Sequence, residues 1–281
     1  MNAVEAGAVI GQLVQESGLP RPEAELLLCF VMGCERAYLL AHRDDAVHPF
    51  EADQALAWFA RRRAGEPVAH IAACREFYGI PLRVTPDVLI PRPETEGLVE
   101  RALERIPANA SARALDLGTG SGAIAVALAH ERPGLRVTAS DVSEAALAVA
   151  RENARRHGAE IEFVRSDWFA DLPPESFDLI VSNPPYVREG DEHLELGDVQ
   201  FEPRIALLGG ESGLDCIQAI ASQGRAWLRP GGWLILEHGH DQKDACMELL
   251  RDLGYLEIED FDDLAGIPRV CAGRREWLTG S

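Results

Sequence analysis

The chain has 281 residues, 47% of them hydrophobic, and a formal charge of −19 from 46 acidic against 27 basic residues. That length predicts two domains with ample core, and so large an acidic excess argues against a partner gripped chiefly through its phosphate backbone. Arg61-Arg62-Arg63 is the one visible basic cluster, which a solvated helix end explains as well as a binding patch does, and Lys243 is the only lysine. Six cysteines (Cys29, Cys34, Cys74, Cys216, Cys246, Cys271) include no CxxC pair and no zinc-like Cys/His set. Neither a metal nor a disulfide framework is expected, and reduced thiols fit a cytoplasmic location. The N-terminus carries no signal-peptide pattern, and the longest apolar run, Leu26 to Met32, is too short to span a bilayer.

Residues 1–75 read as a small helical domain. Val4, Ala8, Leu13 and Val14 form an apolar stripe ending near Gly18-Leu19-Pro20. A second helix is predicted from Pro22 to Gly33, with Glu23 and Glu25 in its first turn where acids complement the helix dipole. A third runs from about Phe50 to Arg63 and stops at Gly65-Glu66-Pro67. A connector over 76–93 follows, in which Phe77–Ile80 and Leu82–Val84 resemble the strands of a hairpin. Ile90-Pro91-Arg92-Pro93 then leads into a helix over 94–106. From Arg113 onward, strand and helix patterns alternate, which predicts an α/β fold with a mostly parallel sheet and helices on both faces. The expected strands are 114–117, 136–140, 161–165, 177–182, 233–237, 256–261 and 269–272. Helices are expected near 121–131, 143–157, 213–228 and 241–253.

Leu115-Asp116-Leu117-Gly118-Thr119-Gly120-Ser121-Gly122 is a strand entering a glycine-rich turn and a helix. Glycines allow close backbone approach, and a helix N-terminus offers free N–H groups. Asp141 ends the next strand about 20 residues on, placed to bind ribose hydroxyls. Gly118-x-Gly120-x-x-Ala123 also fits the dinucleotide fingerprint. Two features favour S-adenosylmethionine. Asp116, just before the turn, could meet an ammonium group directly or through water, and Ser166-Asp167-Trp168 after the third strand offers an acceptor and a ring for adenine. Plainer roles exist for each: a tight β–α connection for the glycines, an N-cap for Asp141, core or lid for Trp168.

Asn183-Pro184-Pro185-Tyr186 follows the strand Phe177–Ser182, at the carboxyl end where open α/β sheets bind ligands. Two prolines fix φ and remove N–H donors, leaving carbonyls, an amide and an aromatic face suited to a planar NH2 group. This motif matches methyltransferases acting on nitrogens conjugated to π systems, a group that includes DNA and RNA adenine N6-methyltransferases. Further segments narrow the resemblance. They are Pro67–Ile71, Arg75–Gly79, Leu89–Glu96, Gly197–Pro203 with Ala206-Leu207 and Gly213, and Leu236-Glu237-His238-Gly239. Together, over nearly the whole chain, they resemble the peptide chain release factor N5-glutamine methyltransferases, the HemK family.

The resemblance implies a class I S-adenosylmethionine-dependent methyltransferase domain over 94–281, Rossmann-like, that releases S-adenosylhomocysteine. Its substrate would be the glutamine amide in the Gly-Gly-Gln motif of class 1 release factors, docked through residues 1–75. By position, Asp116, Gly118, Thr119, Gly120, Ser121, Gly122, Asp141, Asp167, Trp168 and Asn183 would hold the cofactor. Asn183, Pro184, Pro185 and Tyr186 would carry the chemistry, and Arg92, Pro93, Glu94 and Thr95 would wall the substrate pocket. His238 reads as a structural or capping residue rather than a base. A monomer that binds neither nucleic acid nor membrane is expected. The acidic loop Glu189, Asp191, Glu192, Glu195, Asp198 and Glu202 speaks against the nucleic-acid alternative. The chain departs from the family pattern at Ala73, where a glycine is usual and a left-handed backbone would be strained, and at Leu264, where an aromatic is common.

Overall fold

A computed structural model describes residues 8–106 and 111–277, so Val4 of the first predicted stripe falls outside the described residues. The chain divides into two compact units, one comprising the chain through Cys74 together with Leu196–Phe201, the other Arg75–Glu195 together with Glu202 onward.

The first unit holds α1 (Ile10–Glu16), α2 (Arg21–Met32), α3 (Arg36–Ala41), α4 (Pro49–Arg63) and α5 (Val68–Ala72). Ile10, Leu13, Leu27, Leu28 and Phe59 are buried together at its centre. The sequence pattern showed α1, α2 and α4; α3 and α5 are too short to carry a helical period. Gly33 ends α2 at φ 61°, the left-handed stop that glycine favours. Ala73 ends α5 in the same conformation, φ 51° and ψ 31°, where a Cβ is strained. The basic cluster on α4 is engaged inside this unit. Arg61 pairs with Glu66, Arg62 with Glu23 and Asp198 at 2.6 and 2.7 Å, and Arg63 donates to the Ser17 carbonyl.

The second unit begins in a two-stranded sheet, β1 (Cys74–Phe77) and β2 (Ile80–Arg83). Tyr78 and Gly79, both at positive φ, are the two-residue turn between them, so the predicted strand Phe77–Ile80 splits at its centre. After α6 (Glu96–Arg105) come β3 (Arg113–Leu117), α7 (Ala123–Glu131), β4 (Arg136–Asp141), α8 (Glu144–Arg156), β5 (Ile161–Arg165) and β6 (Phe177–Ser182). The chain ends through α9 (Asp215–Trp227), β7 (Leu228–Glu237), α10 (Lys243–Asp252), β8 (Leu256–Asp262) and β9 (Pro268–Arg274). These seven strands form one sheet in the order β5-β4-β3-β6-β7-β9-β8. All neighbours run parallel except β9, which is antiparallel to β7 and β8. Alternate residues bury on opposite faces: Ala114, Val137 and Leu179 on one, Leu115, Ile180 and Leu234 on the other. Burial on both faces explains why the strands read as near-continuous apolar runs. Among the described residues no helix is long and apolar enough to cross a membrane.

The strand order reverses between β3 and β6. From β3 the chain moves outward through β4 and β5, then returns to place β6 on the other side. Leu117 and Ser182 face each other at this seam, and the Ser182 hydroxyl donates to the Leu117 carbonyl at 2.7 Å. Such a reversal opens a crevice at the carboxyl ends of the strands.

Candidate active site

The crevice is a cavity of about 470 Å³ within the second unit. On the β3 side its wall is the glycine turn. Gly118 stands at φ 69°, and a Cβ there would lie 3.6 Å from the Trp168 ring. Thr119 N–H donates to the Ser140 carbonyl at 2.9 Å, and Gly120 N–H donates to Asp141 Oδ2 at 2.9 Å. Asp141 Oδ1 accepts from Ser143 N–H at 2.9 Å. Ser143 itself caps α8, accepting from Ala146 N–H, so Asp141 is not the cap; it joins the turn to the next strand. Burial raises its carboxyl against those N–H groups. Trp168 faces the cavity with φ 49°, a conformation rare for an L residue and costly enough to mark a functional position. Ser166 holds that bend by donating to the Trp168 carbonyl at 2.9 Å.

Asp116 stands near the end of β3, just before the glycine turn. It is fully buried and absent from the cavity lining. Its Oδ2 accepts from the Thr119 hydroxyl at 2.6 Å, and Oδ1 has no hydrogen-bond partner among the described residues. Burial pushes this carboxyl up to about 7, opposed by the Thr119 hydroxyl. A group this enclosed shapes the turn. Gly118, Thr119, Gly120, Ser121, Asp141, Asp167 and Trp168 all line the cavity; Gly122 does not, standing instead as the left-handed N-cap of α7. The glycine cradle beneath an aromatic ring, with one carboxylate at the end of β4 and a second after β5, fits S-adenosylmethionine.

On the β6 side, Asn183 and Pro185 line the cavity. Asn183 Nδ2 donates to Thr95 Oγ1 at 3.1 Å, and its Oδ1 is left without a partner among the described residues, available as an acceptor. Pro184 and Tyr186 adjoin them in the same motif. The Tyr186 hydroxyl donates to Glu237 Oε1 at 3.2 Å, and its carbonyl accepts from Gln242 at 3.1 Å. Burial holds the phenol well above its ordinary pKa, with the Glu237 charge adding to the effect. Arg92 and Thr95 line the cavity, whereas Pro93 and Glu94 are exposed outside it. Arg92 Nη2 contacts both carboxylate oxygens of Glu202, at 2.7 and 2.8 Å, and the Glu202 side chain is 0% exposed.

That pairing amends the view of the acidic loop. Glu202 meets Arg92, Glu195 meets Arg204, Asp191 meets His193 and Asp198 meets Arg62, leaving Glu189 and Glu192 without an ion-pair partner among the described residues. Ile205 and Leu208, which the sequence passed over, line the cavity after the loop beside Ala206. His238 is remote from the lining. Its Nδ1 faces the Gly239 carbonyl and its Nε2 faces Asp260 Oδ2, both at 2.8 Å. Two acceptors require two donors, which only the imidazolium has. Burial opposes that charge, but Asp260 and the Gly239 carbonyl outweigh it and raise the pKa.

Comparison with known proteins agrees with this architecture. The Methyltransferase small domain family matches residues 100–203, and the PrmC N-terminal domain family matches residues 10–72. The chain is 48% identical to the release factor glutamine methyltransferase of Bordetella pertussis over 94% of this chain and 98% of that protein. It is 49% identical to the one of Neisseria gonorrhoeae over 92% and 94%. The solved structure of a methyltransferase from Pyrococcus furiosus shares the fold, with a TM-score of 0.55 at 21% identity over 77% of this chain and 97% of that one. With the crevice, the glycine turn and the Asn-Pro-Pro-Tyr wall in one cavity and near-full-length identity of this size, the chain belongs to the release factor glutamine methyltransferase family.

Proposed function

We propose that this enzyme transfers a methyl group from S-adenosylmethionine to the N5 side-chain amide nitrogen of the glutamine in the Gly-Gly-Gln motif of class 1 release factors. The observation that carries the reading is the orientation of Asn183 at the seam of the sheet: its NH2 is committed to Thr95, so its carbonyl oxygen is an acceptor for an incoming amide.

An amide nitrogen is a poor nucleophile because its lone pair is delocalised into the carbonyl. When bound, S-adenosylmethionine supplies an electrophilic sulfonium methyl. Gly118 to Ser121, Asp141, Asp167 and Trp168 would hold the cofactor, Asp141 at the ribose hydroxyls and Trp168 with Asp167 at adenine. Asn183 Oδ1 and the Pro184 carbonyl accept from the substrate NH2, favouring the charge that develops on nitrogen and fixing its direction of attack. The amide proton becomes far more acidic on methylation and leaves to solvent afterwards, so His238, turned to Asp260 and the Gly239 carbonyl, has no task as a base. Tyr186 and Pro185 pack against the amide plane, and Arg92 and Thr95 wall the pocket.

Residues 1–75 form the helical domain that docks the release factor, 76–93 the hairpin connector, and 94–281 the catalytic domain. Exposed Leu26, Phe30, Phe50 and Leu56 offer apolar surface for that docking. The enzyme works in the cytoplasm as a monomer on protein alone. The test is methyl transfer from labelled S-adenosylmethionine to a release factor, with the modified residue located by mass spectrometry. Transfer to duplex DNA or ribosomal RNA in its place overturns the reading. Phe50→Ser should raise KM for the intact factor and leave KM for a Gly-Gly-Gln peptide unchanged.

A further inference from the structure

Pro184 and Pro185 have no backbone N–H, so the acceptor motif cannot be tied down through donors of its own there. Its anchors lie just after it. Val187 N–H donates to the Leu207 carbonyl at 2.9 Å, and the Val187 carbonyl accepts from Gly209 N–H at 2.8 Å. The Tyr186 carbonyl accepts from Gln242 Nε2 at 3.1 Å. Gln242 stands immediately ahead of α10 at 3% exposure, and the reaction proposed above gives it no part. Its Nε2 also donates to the Gly213 carbonyl at 3.2 Å, while its Oε1 accepts from Gly239 N–H at 2.8 Å. These contacts fix the orientation of the amide. Flipped, it would set an oxygen against two carbonyls and an NH2 against an N–H. The turn over 209–213 comes so near the motif that side chains are excluded from it. A Cβ on Gly209 would lie 2.7 Å from the Pro185 carbonyl oxygen and 2.8 Å from Tyr186 Cα. One on Gly213 would lie 2.6 Å from the Tyr186 carbonyl oxygen and 2.8 Å from Gln242 Nε2. Only glycine lets two backbones meet at that range.

We propose that Gln242 is a positioning residue: by joining the Tyr186 carbonyl to the Gly213 carbonyl and the Gly239 N–H, it holds the Asn-Pro-Pro-Tyr backbone in the direction that attack requires. The role rests on the glutamine methylation proposed above. One side chain here ties together the loop after β6, the turn ahead of α9 and the loop after β7. Between Tyr186 and Asn183 the two prolines fix φ, so the segment has few soft torsions. A shift at the Tyr186 carbonyl is therefore carried to the Pro184 carbonyl and Asn183 instead of being absorbed on the way. A misplacement of about 1 Å at a reacting group can cost about 10²-fold in rate. All the side-chain hydrogen bonds of Gln242 go to main-chain atoms outside the glycine turn that cradles the cofactor. Its loss should accordingly fall on turnover and spare cofactor affinity.

Full-length wild type and Gln242→Met are compared on an intact release factor, with kcat and KM measured separately. Affinity for S-adenosylhomocysteine by calorimetry and Tm by thermal unfolding accompany the rates. Methionine has a similar length and neither donates nor accepts strongly. The expected result is a kcat lowered about 10–100-fold, with KM for the factor and affinity for S-adenosylhomocysteine within about twofold of wild type. Tyr255→Phe separates positioning from stability. The Tyr255 hydroxyl is a buried donor to the Ala221 carbonyl at 2.8 Å, and the residue is absent from the cavity lining. That variant should lose Tm and keep kcat within about twofold. Gln242→Glu keeps the shape and the acceptor for Gly239 but has at most one proton for two carbonyls, and it should lower kcat as well. Should Gln242→Met not fold, Gln242→Glu carries the same readings. Wild-type kcat in Gln242→Met overturns the role. So does a kcat loss that Tyr255→Phe reproduces, or one matched by an equal loss of affinity for S-adenosylhomocysteine. A wild-type enzyme silent on the release factor removes the reaction and this role with it; an active wild type beside an unaffected Gln242→Met removes this role alone.

Discussion

The two walls of the cavity are built by different means. On the β3 side the contacts are local and largely main chain: glycines at positive φ, two backbone N–H groups on Asp141, and a bend at Trp168 held by Ser166. On the β6 side they are side chains from distant parts of the chain, with Asn183 joined to Thr95, Tyr186 to Glu237 and Arg92 to Glu202. A backbone cradle at positive φ strains an added Cβ but needs little support. A side-chain clamp keeps its geometry only while each member is held by another. The contrast predicts that damage to the first wall costs cofactor affinity, and damage to the second costs turnover.

Asn183→Ala is the most severe break. It should lower kcat by about 10²–10³-fold, the cost of one donor or acceptor aimed at developing charge, with Tm near wild type; near-normal initial rates would separate the clamp from the chemistry. Arg92→Ala comes next. It strips the guanidinium from a carboxylate that is 0% exposed and should destabilise by about 3 kcal/mol, read as a shift of the urea midpoint. Asp116→Asn sharpens the comparison from the other wall. Because burial raises this carboxyl to about 7, its contribution to stability is present at low pH and lost as pH rises through about 7. Wild type should weaken relative to the variant by at most about 1.4 kcal/mol per pH unit there; parallel Tm curves would show that Asp116 does not titrate in the fold. The smallest effect lies outside both walls. Ala73→Gly relieves a left-handed alanine and should stabilise by roughly 0.5–1 kcal/mol, measured by denaturant unfolding.

The same contrast explains what could be read in advance. The glycine turn, Asp141 and Trp168 occupy short windows around strand ends, and period-2 and period-3.6 patterns place such windows well. The seven strands and the Asn-Pro-Pro-Tyr wall were legible for that reason. Pairings between distant residues leave no local trace. Glu237 joins Tyr186 across 51 positions, and Arg92 joins Glu202 across 110, so in a loop that reads as a run of carboxylates, Glu195, Asp198 and Glu202 each meet an arginine in the fold. The Cys246 thiol likewise meets that of Cys271, from another element. Leu196–Phe201 clusters with the helical unit although its neighbours in sequence belong to the other.

The seam between β3 and β6 has a consequence for how such enzymes diversify. Everything proposed to hold the cofactor on the β3 side comes from one unbroken stretch, Gly118 to Trp168, whose cavity-side hydrogen bonds join Thr119 to Ser140, Gly120 to Asp141 and Ser166 to Trp168. It can be inherited or exchanged as a single cassette. The acceptor wall is assembled from Arg92 and Thr95, Asn183 to Tyr186, Glu202 to Leu208 and Glu237. No crossover could transplant it whole. New substrates must therefore be acquired by compensated point changes in that wall, one hydrogen-bonded partner at a time.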